Sequence, residues 1–277
     1  MSITENMPQH LYRAKRFVSN SLLSDLNVSP YHCWAMNINP DRPQRKESPA
    51  MKSGTLAHCV ILEPETVSDR YVIAPEDLSM TTKAGKEWAA AQTRIIISQD
   101  QMTTAESQHA AIMAVPEIAE ILTRPGVAES SVFWVDEATG LDCMCRPDWV
   151  GTLPSGEPIC LDLKTSADAM PAGFGKSVAS FGYHRQAAHY SNGLRANGLD
   201  VAMFVFAVVS SAYPFVAAPY VLDVDSEAQG QEEIAELLAL YAQCSKTDKW
   251  PAMGPGYQVA SLPRWAKREM EVEVSYV

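Results

Sequence analysis

The stretch that decides the fold runs over residues 146–164, RPDWVGTLPSGEPICLDLK. Two short β-rich runs flank the turn signal LPSGE, so the segment reads as a strand, a reversal and a partner strand. Asp148 closes the first strand, and the second carries Asp162-Leu163-Lys164. Residues two apart on a strand share a face, so Asp162 and Lys164 project together while Leu161 and Leu163 turn to the core. The reversal brings Asp148 alongside Asp162. Two carboxylates on adjacent strands make a hard-oxygen site suited to Mg²⁺ or Mn²⁺. A lysine beside them can orient or deprotonate a water and steady charge building on a phosphate. Taken alone, D-x-K on a strand is more often a surface ion-pair pattern. The apolar flanks ICL and WV argue against a strand that is simply solvated.

Working outward, residues 129–136, 141–150 and 158–164 are predicted as an antiparallel meander. Helices follow over 171–179 and 183–196, then strands over 201–210 and 214–222. The run VAMFVFAVV suits a strand buried on both faces, and a helix is predicted over 225–243. Upstream, the spacing predicts a helix over 21–36 divided by Pro30, a Pro-, Arg- and Lys-containing loop over 39–47, and a helix over 48–62 stopped by Pro64. Further helices are expected over 83–98 and 101–122, the second broken near Pro116. The expected fold is α/β, a mixed central sheet flanked by helices with a helical N-terminal third. It reads as one domain over 1–277: a helical part to about 125, a catalytic sheet core over about 126–224, and a C-terminal helix and tail over 225–277.

The chain has 277 residues, 47% hydrophobic and 20% charged, enough for a sizeable core. No run of about 18 apolar residues suggests a membrane span, and the first residues lack the apolar centre of a signal peptide. A cytoplasmic location is therefore expected. Six cysteines fit reduced, partly buried thiols in that compartment. Cys143 and Cys145 form the one close pair, C-x-C, which leaves a cysteine-based metal module as an alternative. The formal net charge of −11 is unusual for a nucleic-acid binder. Metal-holding carboxylates and a basic strip confined to one channel would reconcile the two.

The ordered words SNSLLSDLNVSPYHCWA (19–35), SPAMKSGTLAHCVILEPE (48–65), AESSVFW (128–134), TGLDCMCRPDWV (139–150), ICLDLKTSADA (159–169) and FGYHRQAAHYSNGL (181–194) go further. Together they resemble the RecE-type exonucleases (exonuclease VIII), relatives of the phage lambda exonuclease among the PD-(D/E)xK nucleases. The resemblance spans about two-thirds of the chain. It implies that Asp148 and Asp162 are metal carboxylates, that the Leu163 carbonyl adds a ligand, and that Lys164 is the catalytic lysine. His58, on a predicted helix, would help ligate the metal, although by itself it is also a plausible core histidine. Glu129 would serve a second metal or its waters.

Gln186 and Tyr190, four apart on a helix, would border the active site. Ser21 and Ser24 would receive a 5′-phosphate, unless they simply cap a helix. Arg146, with Arg13 and Arg16 behind it, would grip phosphate. The second acidic position is Asp rather than the commoner Glu, which the motif allows.

The expectation is a Mg²⁺-dependent 5′→3′ exonuclease on double-stranded DNA, with Mn²⁺ able to substitute, releasing 5′-mononucleotides. The resemblance implies a toroidal homo-trimer or tetramer acting on DNA ends in a bacterial host cell, of phage or prophage type. It also implies a single-strand annealing recombinase as the partner that takes the remaining 3′ strand. Two alternatives share parts of this reading: an endonuclease or repair nuclease with the same core, and a catalytically silent DNA-binding scaffold.

Overall fold

The computed structural model describes residues 2–5, 7–44, 46–253 and 256–262. Within the expected C-terminal tail, residues 263–277 lie outside the described residues, as does Arg45 of the expected loop.

The N-terminal part contains β1 (Ser2–Thr4), α1 (Gln9–Arg13), α2 (Asn20–Val28) and α3 (Pro30–Cys33), which passes into a π-type turn over Trp34–Ile38. Pro30 thus splits the expected helix where its ring forbids continuation. Next come α4 (Pro49–Leu62), α5 (Val67–Arg70), β2 (Tyr71–Ile73), α6 (Lys83–Ala90), β3 (Ile95–Ile97), α7 (Gln99–Met113) and α8 (Pro116–Thr123). Start signals are explicit: Ser48 caps α4 with Pro49 at its first position, and Ser98 and Gln101 form a capping box on α7. The helix expected over 83–98 ends at Ala90. Its three consecutive isoleucines pair with β2 in a parallel ribbon instead, since β-branched side chains suit a strand better than a helix.

The sheet region holds β4 (Gly126–Ala128), β5 (Ser131–Val135), β6 (Asp142–Cys145), β7 (Trp149–Thr152) and β8 (Pro158–Ser166). It continues through α9 (Pro171–Phe181), α10 (Tyr183–Ala196), β9 (Met203–Ser210), β10 (Ala217–Tyr220) and α11 (Val224–Thr247). The order in the five-stranded sheet is β10-β9-β8-β7-β4. Only β8 and β9 are parallel, and α9 and α10 provide the crossover that parallel neighbours require. A second sheet has the order β1-β5-β6. The fold is therefore α/β with a mixed central sheet, as expected.

The meander departs from expectation at one point. Residues 141–150 are two strands in two different sheets, separated by Arg146-Pro147-Asp148. Proline has no N–H to offer a ladder, so the strand cannot run through.

Both faces of the sheet are covered. Ile159, Leu161 and Leu163 of β8 and Val205, Ala207 and Val209 of β9 pack under α4, α7 and α8. Cys160 with Phe204, Phe206 and Val208 packs under α2, α9, α10 and α11. Each fully buried apolar side chain stabilises the fold by about 1.5–3 kcal/mol, so β8 and β9 form a rigid floor. All six cysteines are buried. No helix of the described residues is long and apolar enough to cross a membrane.

Candidate active site

The β7–β8 register pairs Trp149 with Leu161, and the β4–β7 register pairs Ala128 with Trp149. One step beyond these pairs, Asp148 falls opposite Asp162 on one side and Glu129 on the other. Three acidic residues thus meet across three neighbouring strands at the point where β7 begins. Leu163 would come opposite Pro147, which has no N–H. Its own amide instead donates to Asp148 Oδ2 at 2.7 Å, and Pro147 leaves the Leu163 carbonyl without the donor a ladder would supply.

Glu129 joins the two sheets with a left-handed backbone, φ 51°, and its amide donates to the Asp148 carbonyl at 3.1 Å. A left-handed non-glycine residue costs about 1–3 kcal/mol, a strain that collects at functional sites. From the other side, α4 delivers His58, whose Nδ1 lies 3.5 Å from Asp148 Oδ2. Donor atoms of His58, Glu129 and Asp148 lie within 4.8 Å of one another, which fits a divalent cation held by one imidazole and two carboxylates.

Asp162 has a different company. Its Oδ2 pairs with Lys164 Nζ at 2.6 Å, while Gln186 Nε2 donates to its Oδ1 at 2.6 Å. Lys164 Nζ also donates to Gln186 Oε1 at 2.9 Å, closing a three-residue loop. The ring of Tyr183 lies over the same ammonium, 4.4 Å from its centroid.

Burial and charge tune these groups against one another. Burial would lower the His58 pKa, but the Asp148 carboxylate outweighs it and lifts it to about 9. For Asp148 burial acts upward, yet His58 and Lys164 hold it below the usual carboxylate range. Burial and neighbouring Asp148 push Glu129 up to about 7. Burial also raises Asp162, to about 6, against the pull of Lys164. Lys164 is opposed by burial but ends above its ordinary value, because Asp162 and Asp148 stand beside it. A cluster of this density at the end of buried strands is a candidate functional site.

The structure therefore brings together His58, Glu129, Asp148, Asp162, Leu163, Lys164 and Gln186 of the residues expected from sequence. Tyr190 packs against Phe204 and His189, with centroids at 6.3 and 6.5 Å, and lies close enough to the site that Asp162 and Asp148 add to burial in raising its pKa. The aromatic residue that reaches the lysine is Tyr183, overlooked in the sequence although it lies three residues before Gln186 on the same helix. Arg146 is engaged elsewhere. Its Nη2 donates to the Met7 carbonyl at 2.8 Å and to Ser131 Oγ at 2.6 Å, and its guanidinium lies over the Tyr12 ring. That guanidinium tethers the N-terminal segment on which Arg13 and Arg16 stand exposed. Ser21 Oγ lies 3.0 Å from Ser19 Oγ, Ser24 Oγ donates to the Asn20 carbonyl, and the residue capping α2 is Ser19. Cys143 and Cys145 are buried in the core, and burial raises both thiols. Neither belongs to the metal-ligating group.

A family model described as a PDDEXK-like domain of unknown function (DUF3799) matches residues 19–259. No curated protein matches at a significant level. Among solved structures, a presumed exonuclease from Eubacterium rectale aligns over 94% of this chain and 96% of its own with a TM-score of 0.62. At 15% identity that likeness shows the fold alone. The solved structure of SSO0001 covers 69% of this chain and 86% of its own at 12% identity; its TM-score of 0.31 carries no argument.

Proposed function

The chain belongs to the PDDEXK-like family DUF3799, and from that premise we propose that it is a Mg²⁺-dependent exonuclease degrading one strand of duplex DNA from the 5′ end. The observation that carries the metal-dependent hydrolysis is the meeting of His58, Glu129 and Asp148 with the Asp162–Lys164–Gln186 loop at the point where β7 starts. The 5′→3′ direction, the ring of three or four subunits and the annealing partner rest on the resemblance of the sequence words to RecE-type exonucleases.

In this reading His58, Asp148, Asp162 and the Leu163 carbonyl would hold the cation, with Glu129 beside it or serving a second one. A bound divalent cation supplies charge to a phosphate oxygen and acidifies the attacking water. Asp148 has a second task, fixing the Leu163 amide and so the carbonyl that follows it. Asp162 keeps Lys164 protonated, so the lysine donates hydrogen bonds and positive charge to the phosphate rather than accepting a proton. Gln186 bridges Asp162 and Lys164 and sets the direction of the ammonium. Hydrolysis forms a bond from water oxygen to phosphorus and breaks the bond to the 3′-oxygen, leaving a 5′-mononucleotide.

The test is digestion of linear duplex DNA, 5′-labelled on one strand, with and without Mg²⁺ or Mn²⁺, for the wild type and Lys164→Ala. Early metal-dependent release of labelled mononucleotide, lost in the variant, is expected. Internal cuts with nicking of closed circles would replace the exonuclease by an endonuclease. No cleavage under any condition would leave a DNA-binding scaffold.

A further inference from the structure

The geometry points to Tyr183 as a positioning residue for Lys164, one that holds the ammonium by its ring face and leaves an N–H free for the scissile phosphate; this rests on the nuclease reading above. A lysine ammonium has three donors and no acceptor. Asp162 Oδ2 and Gln186 Oε1 take two of them, at 2.6 and 2.9 Å. A third polar partner would use up the last donor and leave nothing for substrate. An aromatic face attracts the whole charge without spending a particular N–H, and the Tyr183 ring lies 4.4 Å from Nζ.

The chain fixes that ring with care. Tyr183 is the first residue of α10, directly after Gly182, whose φ of 68° ends α9. Three residues on, Gln186 projects from the same helix face, so a single rigid element delivers both contacts to Lys164. Phe181, Phe206 and Phe174 surround the Tyr183 ring with centroids at 5.6, 5.8 and 5.9 Å. Phe206 is itself the β9 partner of Asp162 in the parallel register. The ring, the carboxylate and the amide that define the lysine's position are therefore all anchored to the same sheet floor.

The experiment compares Tyr183→Leu and Tyr183→Phe with wild type. Leucine keeps an apolar side chain against the three phenylalanines but has no ring face; phenylalanine keeps the face and drops the hydroxyl. Two readouts are taken: kcat and KM on linear duplex DNA, and the Lys164 Hε resonance in protein carrying ¹³C-lysine, assigned with Lys164→Arg. For the leucine variant kcat is expected to fall about 10-fold. KM is expected to stay within about 2-fold, because the interaction acts on orientation rather than on binding. The Lys164 Hε signal, displaced upfield by the ring in wild type, should return to the ordinary lysine position. The phenylalanine variant should retain both the rate and the displaced signal. A phenylalanine variant as slow as leucine would assign the effect to the hydroxyl and overturn the proposal, as would an Hε signal that leucine leaves unmoved. A wild type that does not cleave DNA would overturn the nuclease reading, while the Hε signal would still decide whether the ring holds the lysine.

Discussion

Replacing Asp148 separates its two tasks. In Asp148→Asn the side-chain oxygen can still accept from the Leu163 amide, now 2.7 Å from Oδ2, but the charge that faces His58 and Glu129 is gone. Losing the attraction to His58 leaves a buried charge without its partner and should destabilise by about 3–5 kcal/mol, less what relief of the repulsion from Glu129 returns, a cost common to both variants. Asp148→Ala removes the acceptor as well and leaves a buried amide unpaired, which costs about 1–3 kcal/mol. For a chain of this length each kcal/mol shifts Tm by about 2 °C, so alanine should melt about 2–6 °C below asparagine. On the proposed function both variants lose a metal carboxylate worth several kcal/mol of charge stabilisation, so both should cleave about a thousand-fold more slowly. Differential scanning calorimetry and the labelled-end assay read the two effects separately. If the alanine and asparagine variants melt together, Asp148 does not terminate the β8 ladder. If asparagine keeps a tenth of the activity, the carboxylate is not a metal ligand, and the reasoning fails there.

Other consequences are as specific. A Cβ at Gly230 of α11 would collide with the His184 backbone carbonyl of α10, so Gly230→Ala should force the helices apart and destabilise by about 1–3 kcal/mol in urea unfolding; an unchanged midpoint would show the two helices are less tightly packed. His189 is fully buried beside Trp134, its Nε2–H donating to the Met144 carbonyl at 3.1 Å, and burial lowers its pKa from 6.5 to about 4. A folded-state value below the unfolded one means stability is fully present above pH 6.5 and lost as pH falls towards 4, by up to about 3 kcal/mol. His189→Gln should flatten that part of the stability–pH curve, and an equally steep curve would assign the protons elsewhere. Arg146→Met should release the N-terminal segment, seen as faster amide exchange over residues 2–12 with little change at β8; unaltered exchange would mean β1 pairing alone holds it.

Much of this protein is written in local sequence. The alternation of Asp162, Leu163 and Lys164 places charge on one face of β8 and a core side chain on the other, because a strand has a period of two whatever surrounds it. Residues 203–210 declare a strand buried on both faces, and Ser48-Pro49, Ser98-x-x-Gln101 and Pro30 set helix boundaries through hydrogen bonds that span only three or four residues. These features need no partner from elsewhere in the chain, so sequence determines them.

What depends on distant partners was decided by the tertiary structure. Whether residues 95–97 continue a helix turned on a pairing with residues 71–73, and the apparent single strand over 141–150 divided between two sheets at Pro147. Glu129 reaches Asp148 only because a left-handed residue turns the chain between β4 and β5. The sequence pairs Asp148 with Asp162 as metal carboxylates; in the structure the close donors to Asp148 are His58 and Glu129, and Asp162 is engaged by Lys164 and Gln186. The sequence paired Gln186 with Tyr190, four residues on, whereas the ring over Lys164 is that of Tyr183, three residues before it. That difference follows from how α10 is rotated against β8 and β9, a rotation set by the packing of Phe174, Phe206 and Ala187 rather than by any one residue's preference.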